Sequence, residues 1–365
     1  MNLFRALLPT SGILRSAPAP APLTLRDRSG RPLRRRRDTR TQSGRRGVQL
    51  AFAALNVWIG IEFFRWVRHY ETAGAAPFVP RPAGVEGWLP IAALMNLKYA
   101  LLTWEAPPLH SAGMSLLVAF LAMSWLLRKS FCSWLCPIGT LSELLWEGGQ
   151  AALGRSLRAP RWLDLPLRAL KYILLGLFLY AVGSMSAPAI RAFLESPYGL
   201  VADVKMLDFF RHMSRTVTVA VAVLVVASVF VQNAWCRYLC PYGALLGLVA
   251  LVSPTRIRRT AGACIDCAKC AAACPAGLPV DKLASVRSAE CTNCLLCITA
   301  GPSQDALRCA TVAGRSLPGW AVAAGVLGIF LLVVGVARVS GHWDTVLPDD
   351  VLFDLIPNAH RFGHP

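Results

Sequence analysis

Residues 264–275 read Cys264-Ile-Asp-Cys267-Ala-Lys-Cys270-Ala-Ala-Ala-Cys274-Pro275. In this spacing, C-x2-C-x2-C-x3-C-P, three cysteines hold one [4Fe–4S] cluster and the fourth reaches a neighbouring cluster. A high cysteine count would suggest disulfides in a small secreted chain, but the metal-ligand spacing favours iron. The stretch therefore predicts a compact iron–sulfur module that holds two clusters.

A second run follows in Cys291-Thr-Asn-Cys294-Leu-Leu-Cys297-Ile-Thr-Ala-Gly301-Pro302, where glycine stands at the place of the fourth cysteine. The pairing rule predicts one complete ligand set, which consists of Cys274, Cys291, Cys294 and Cys297. The other set has only three cysteines: Cys264, Cys267 and Cys270. We assign Cys309, the remaining cysteine of the module, as its fourth ligand. A non-cysteine ligand and a three-iron cluster are the alternatives.

The remaining four cysteines form a repeated motif, Cys132-Ser-Trp-Leu-Cys136-Pro137 and Cys236-Arg-Tyr-Leu-Cys240-Pro241. We call them the C-x3-C-P cysteines: Cys132, Cys136, Cys236 and Cys240. Each motif follows an apolar run, and two predicted spans separate the motifs, so both lie on the same membrane face. Simple burial is one interpretation, because free cysteine packs well. The duplication favours an additional redox site, either a further cluster shared by four thiolates or a dithiol pair.

Apolar runs recur along the chain, and about 20 apolar residues cross a bilayer. We predict five spans, at Gly47–Trp66, Ser111–Leu127, Tyr172–Ile190, Thr216–Trp235 and Ser316–Ala337. The stretch Trp88–Trp104 contains Pro90, Asn96 and Lys98, so we interpret it as a re-entrant or surface helix. The composition agrees with lipid contact, because 16% of the residues are charged, against about 25% in soluble domains.

The positive charges indicate an orientation in the membrane. A net charge of +18 would suit a nucleic-acid binder, but the arginines flank apolar runs, so we predict no nucleic-acid partner. Lys and Arg favour the cytoplasmic side, and residues 1–46, 129–168 and 236–315 hold twelve, five and nine of them. Residues 67–110, 191–214 and 339–365 hold three, three and one. This bias predicts a bacterial inner-membrane protein with a cytoplasmic N-terminus, cytoplasmic clusters and a periplasmic C-terminus.

The predicted fold is an α-helical integral membrane protein of about five spans with an inserted cytoplasmic α+β double [4Fe–4S] ferredoxin module. The segments are a disordered basic arm (1–46), a four-span membrane domain with both C-x3-C-P motifs (47–253), the ferredoxin module (254–315), a fifth span (316–338) and a short periplasmic tail (339–365). Within the arm, we interpret the pair Arg45–Arg46 as a positive flank of the first span.

With these motifs the chain resembles the polyferredoxin membrane proteins, which include the NapH, NosR and CcoG types. The resemblance covers residues 47 to about 345 and rests on Phe131–Gly139, Trp235–Gly243 and the two cysteine runs. It implies cytoplasmic clusters that pass electrons to or from quinone or a periplasmic partner. The chain departs from the family at Gly301, and we expect neither the flavin-binding domain of the NosR type nor the folded outer domain of the CcoG type.

The motifs and the resemblance together predict a membrane-bound electron-transfer component rather than a stand-alone catalyst. It would link the cytoplasm or the quinone pool to a redox partner on the periplasmic side. An assembly factor that reduces a metal or thiol of a respiratory complex and a redox sensor are the alternatives. The expected partners are the lipid bilayer, quinone and unidentified redox proteins. The sequence contains no motif that supports haem or flavin.

The orientation can be tested with a reporter fused after Pro365. Because the loop charges place this end outside, an alkaline phosphatase fusion is expected to be active and a green fluorescent protein fusion dark. A second pair of fusions after Arg259 serves as the control and is expected to give the opposite pattern. An active phosphatase fused after Arg259 would contradict the predicted topology.

Overall fold

The computed structural model describes Gly30, residues 40–154, Leu157 and residues 160–364. The described chain is mostly helical, and most of the predicted basic arm lies outside the described residues. The first helix begins at Arg40, so residues 40–46, which we had assigned to the arm, are helical. The described residues also contain two short 3-10 helices, Ala83–Trp88 and Ala359–Arg361.

The secondary structure follows the chain in a simple order. The helices are α1 (Arg40–Glu71), α2 (Pro90–Thr103), α3 (Ser111–Leu127), α4 (Phe131–Trp134), α5 (Pro137–Leu153), α6 (Arg161–Ser184), α7 (Ala187–Leu194), α8 (Pro197–Leu200), α9 (Ala202–Arg211), α10 (Arg215–Phe230), α11 (Ala234–Tyr238), α12 (Pro241–Leu251), α13 (Lys269–Ala272), α14 (Leu296–Ala300), α15 (Gly319–Val339) and α16 (Asp349–Leu355). The strands are β1 (Thr255–Arg259), which precedes α13, and β2 (Leu307–Thr311), which follows α14.

Three helices of the described chain, α1, α6 and α15, are long and apolar enough to cross a membrane. Helices α9 and α10 would add a fourth span if they are taken together, although they are bent by 81° at their junction. Helix α3 has 17 residues and rises about 26 Å at 1.5 Å per residue, slightly less than a hydrocarbon core of about 30 Å. The structure thus supports three of the five predicted spans by length.

Two predicted spans end earlier than the apolar runs suggested. The run Tyr172–Ile190 is broken after Ser184, because the Ser186 hydroxyl accepts a hydrogen bond from the Ala189 N–H and starts α7. The run Thr216–Trp235 is broken after Phe230, where Asn233 adopts a left-handed conformation before α11. Apolar composition alone does not reveal such breaks, because capping residues also occur inside spans.

The stretch Trp88–Trp104 forms the end of a 3-10 helix followed by α2, which has 14 residues. A helix of this length rises about 21 Å, which is too short to cross a bilayer. Its polar residues bind the ends of neighbouring segments. Lys98 Nζ donates to the carbonyls of Val182 and Gly183 at the end of α6, and Asn96 Nδ2 donates to Leu109 O.

The ferredoxin module contains a two-stranded antiparallel sheet in which Ile257 of β1 pairs with Cys309 of β2. Module side chains cap the end of α3, since Thr255 Oγ1 and Asn293 Nδ2 donate to the carbonyls of Leu126 and Leu127 at 2.7 and 3.1 Å. Helix ends leave such carbonyls without partners. One buried apolar cluster also passes from α3 into the module. The module is therefore packed directly against the helical bundle.

A buried polar cluster connects the segment before α2, the start of α3 and the segment after α15. Its centre is Glu86, whose carboxylate is 0% exposed. The carboxylate accepts hydrogen bonds from three groups: Arg81 Nη1 at 3.0 Å, Thr345 Oγ1 at 2.8 Å and the Gly113 N–H at 3.1 Å. Burial acts to raise its pKa, but His110, whose Nδ1 lies 3.5 Å away, and the charge of Arg81 outweigh burial and lower the pKa to about 2. The cluster ties the C-terminal segment to the start of α3.

Replacement of Glu86 by Gln is expected to lower the thermal unfolding temperature at neutral pH. A carboxylate whose pKa falls from 4.5 to about 2 on folding contributes roughly 3 kcal/mol above pH 4.5, and this contribution disappears as the pH falls toward 2. The gap between wild type and Glu86→Gln should therefore be largest above pH 4.5 and narrow below it. The control is Glu195→Gln, which removes the carboxylate of an exposed ion pair with Arg191. A gap that does not depend on pH would contradict this role for Glu86.

Candidate iron–sulfur and C-x3-C-P site

The two cysteine runs of the module have the same backbone conformation. Asp266 and Asn293 occupy equivalent positions with φ of 52° and 51°, and Ala268 and Leu295 follow with φ of 53° and 62°. A short helix, α13 or α14, begins directly after each of these loops. Successive backbone N–H groups in alternating right- and left-handed conformations form concave sites for anions, including iron–sulfur centres. The sequence repeat is therefore also a structural repeat.

The predicted complete set converges on one small cavity. The cavity is lined by all four of its cysteines: Cys274, Cys291, Cys294 and Cys297. Its other walls are mainly apolar and include Ile257, Leu278 and Val286. Burial raises the pKa of the Cys294 thiol to about 12. Four cysteines around an apolar cavity match the donor set of a [4Fe–4S] cluster, and metal binding would have to displace the thiol protons.

The first run and Cys309 are arranged differently. Cys264 and Cys270 are buried, whereas Cys267 is the one exposed cysteine among the twelve, all of which the structure describes. Cys309 is buried in β2, and its Sγ lies 3.6 Å from Asn293 Oδ1 of the second run. Burial and the nearby Cys291 raise the pKa of the Cys309 thiol to about 12. Since its observed neighbours belong to the second run, the assignment of Cys309 to the first set stays a prediction.

The two C-x3-C-P motifs also repeat in three dimensions. In the first, the N–H groups of Leu135 and Cys136, which follow α4, both donate to the carbonyl oxygen of Phe131, the first residue of α4. In the second, the N–H groups of Leu239 and Cys240 both donate to Trp235 O. The proline after each motif then occupies the first turn of α5 or α12, where its missing N–H costs nothing.

The glycine after each proline allows the helix N-terminus to approach the cysteines. A Cβ at Gly139 would overlap the carbonyl oxygen of Cys132, so a larger residue cannot fit there without movement. The Gly243 N–H donates to Cys240 Sγ at 3.2 Å. Helix N-termini favour negative charge and lower the pKa of nearby thiols. The motif thus directs backbone donors at its second cysteine.

All four C-x3-C-P cysteines line one cavity of about 880 Å³, and they lie near one another, since Cys136, Cys240 and Cys132 each act to raise the pKa of Cys236. Burial raises the pKa of Cys132 to about 12 and that of Cys136 to about 11, and N–H groups at the start of α5 partly offset burial at Cys136. Across residues 40–154 and 160–364, no three His, Cys, Asp or Glu side chains converge on the position of a single metal ion. A cubane cluster does not need such a point, because each cysteine binds a different iron.

Hydrogen bonds connect the C-x3-C-P motifs to the loops of the complete set. From the first motif, Ser133 Oγ donates to Thr292 O at 2.7 Å, and Trp134 Nε1 donates to Asn293 O at 3.2 Å. From the second motif, Arg237 Nη1 donates to Pro275 O at 3.2 Å. Both motifs therefore contact the complete set directly, one through each of its two chain segments.

Arg45 is a site residue that the sequence analysis missed. The interpretation of Arg45 as a positive flank is wrong, because its side chain is buried. It forms a bidentate ion pair with Glu143 at 2.9 and 2.6 Å and donates to Ser133 O at 3.2 Å. Gln49, one helical turn later, donates to the same carbonyl and carboxylate. The polar pair Arg45 and Gln49 on one face of α1 was the signal available in the sequence.

The sequence also matches known protein families in these regions. The family described as "4Fe-4S binding domain" matches residues 109–159 and 216–260, each of which contains one C-x3-C-P motif. The family described as "4Fe-4S dicluster domain" matches residues 256–302. The Escherichia coli (strain K12) protein "Putative electron transport protein YccM" is 52% identical over 326 residues, which cover 88% of this chain and 91% of YccM. The chain belongs to the YccM family of polyferredoxin-type membrane proteins.

More distant relatives of this YccM-family chain carry related names. The Regulatory protein NosR of Pseudomonas aeruginosa is 36% identical over 200 residues, which cover 52% of this chain and 26% of NosR. The Ferredoxin-type protein NapH of Escherichia coli is 24% identical over 180 residues, which cover 47% of this chain and 58% of NapH. No solved structure matches the chain. The comparisons confirm the resemblance to polyferredoxin membrane proteins and the presence of iron–sulfur domains.

Single replacement of Cys136 or Cys240 by Ser is expected to abolish electron transfer and lower the iron content, while the electron paramagnetic resonance signals of the ferredoxin module persist. The reason is that both cysteines occupy equivalent positions in one shared cavity. Iron analysis, electron paramagnetic resonance and an activity assay on anaerobically purified protein provide the measurement. Ser142→Ala on α5 is the control, since its buried hydroxyl has no hydrogen-bond partner among the described residues. Full activity and iron in both cysteine variants would leave only a packing role.

Proposed function

We propose that this YccM-family protein transfers electrons between its ferredoxin module and a second redox site at the C-x3-C-P cysteines. The observation that carries the proposal is the set of hydrogen bonds from Ser133, Trp134 and Arg237 to the loops of the complete set. Bound iron–sulfur clusters would supply one-electron chemistry, and the protein would set their environment. The related electron transport, NosR and NapH proteins support an electron-transfer role.

Part of the contact between the two sites is buried. Ser133, Trp134 and Asn293 are all buried. Buried hydrogen bonds hold a defined geometry because an unpaired polar group in such a place is costly. These hydrogen bonds support a fixed distance between the two sites, which electron transfer requires.

The exposed Cys267 supports a direction for exchange with soluble partners. Its set, with Cys264 and Cys270, thus has an exposed member, whereas the hydrogen bonds described above connect the C-x3-C-P motifs to the other set. A soluble redox protein would therefore meet the module at the first set. In the proposed orientation this exchange takes place on the cytoplasmic side of the inner membrane, as the loop charges favour.

The 880 Å³ cavity supports a small apolar redox partner at the membrane end. Its walls include Phe52 and Trp58 of α1, Leu94 of α2 and Phe178 of α6, all of which belong to helices of the bundle. Ligand pockets commonly measure about 300–1,000 Å³ and have mainly apolar walls. Quinone is the membrane-soluble carrier that fits this chemistry, and it would exchange electrons with the C-x3-C-P site.

The contact between the sites can be tested with the double variant Ser133→Ala, Trp134→Phe. It removes two hydrogen-bond donors but keeps an aromatic ring at position 134. Both sites should keep their iron and spectra, whereas electron transfer from the photoreduced module to the C-x3-C-P site should slow by about tenfold, equal to about 1.4 kcal/mol of barrier. Freeze-quench electron paramagnetic resonance after deazaflavin photoreduction provides the measurement.

The control variant is Trp125→Phe, which changes an exposed tryptophan of α3 by the same chemistry. It is expected to leave the rate unchanged. If the double variant keeps the iron of both sites and its electron-transfer rate is unchanged, electrons do not pass through this contact.

A further inference from the structure

Three charged side chains near the two cysteine sites form a cluster of ion pairs. Lys171 Nζ lies 2.7 and 2.6 Å from the two carboxylate oxygens of Glu290. Lys129 Nζ lies 3.9 Å from the same carboxylate. The Tyr172 hydroxyl also donates to Glu290 at 3.1 Å. We call Lys129, Lys171 and Glu290 the charge triad.

The triad occupies the junction of the two sites in sequence and in space. Glu290 directly precedes Cys291 of the complete set, and Lys129 lies three residues before Cys132. Lys129 and Glu290 both line the cavity that contains the four C-x3-C-P cysteines. Lys171 comes from α6, which is remote in sequence from both motifs. The fold therefore brings these charges together at the place where the two sites meet.

The triad carries one more positive than negative charge in a buried position. Lys171 is 0% exposed and Lys129 is 4% exposed, and they share the single carboxylate of Glu290. An unpaired buried charge is strongly unfavourable unless an opposite charge compensates for it. The carboxylate of Asp164 does not compensate this charge, because it already pairs with Arg168 and Arg237.

The groups that can compensate the excess charge are the C-x3-C-P cysteines. Lys129 lines the cavity together with Cys132, Cys236 and Cys240, so negative charge on these sulfur atoms would lie near its ammonium group. A dithiol or a disulfide is neutral and would leave the extra ammonium group uncompensated. A cluster held by thiolates is anionic and would compensate it.

We propose that the charge triad is the built-in counter-charge of an anionic, thiolate-ligated metal cluster at the C-x3-C-P cysteines and that it sets the reduction potential of that site. The inference rests on the proposed function, because it requires a redox centre at these cysteines. Lys129, Lys171 and Glu290 act as positioning residues and do not ligate metal. The site gains one negative charge with each electron, so positive charges nearby favour the reduced form and a negative charge opposes it.

The test compares two nearly isosteric variants, Lys129→Gln and Glu290→Gln, in anaerobically purified full-length protein. Lys129→Gln removes a positive charge and should lower the midpoint potential of the C-x3-C-P signal. Glu290→Gln removes a negative charge and should raise it. In each variant the reduced-to-oxidised ratio at a fixed potential should change by about tenfold, equal to about 59 mV for a one-electron couple. Redox titration followed by electron paramagnetic resonance provides the measurement.

Lys129→Arg keeps the charge and should restore the wild-type potential, and Lys205→Gln, on α9, is the control for the loss of a remote lysine. Shifts of opposite sign in the two Gln variants support the proposal, because a general disturbance of packing would not reverse sign with charge. Equal shifts in one direction, or none, would overturn it. If the spectra of Cys132→Ser are identical to those of the wild type, the proposed function is overturned instead, since no redox centre would then lie at these cysteines.

Discussion

The structure depends on the way in which the bundle supplies hydrogen-bond partners to one loop of the ferredoxin module. A loop that wraps a cluster cannot pair its own carbonyls as a helix or sheet would, and buried carbonyls without partners are costly. Here the side chains of Ser133 and Trp134 donate hydrogen bonds to the carbonyls of Thr292 and Asn293, and Gln42 Nε2 donates to the carbonyl of Cys294. The loop and the helices therefore stabilise each other.

Much of this organisation could be predicted from the sequence because ligand spacing is a local property. The members of the complete set lie in two short runs, and the structure brings all four to one cavity. The C-x3-C-P repeat was equally visible, since proline and glycine at fixed positions impose the same turn twice. The apolar runs of α1 and α15 predicted long helices, because composition over about 20 residues is sufficient for that conclusion.

What could not be predicted depends on contacts between distant residues. The charge of Arg45 looks like a membrane flank in a list of residues, and only its pairing with Glu143 shows that it is buried. Lys98 was one reason to interpret Trp88–Trp104 as a re-entrant or surface helix, but the sequence did not show that its ammonium group donates to a carbonyl at the end of α6. The break after Ser184 depends on a local cap that competes with a continuing apolar run. The neighbours of Cys309 depend on the register of β2 against β1, which cysteine spacing does not contain.

The duplicated unit has a consequence for the ancestry of the fold. Helices α3, α4 and α5 repeat as α10, α11 and α12, each with one C-x3-C-P motif, and the same family description matches both halves. Each half provides two of the four cysteines that line the cavity. Two copies of a chain half as long would provide the same four thiols across a two-fold axis, as symmetric dimers provide paired residues. Within a single chain each half can vary separately, and one motif carries Ser133 and Trp134 where the other carries Arg237 and Tyr238.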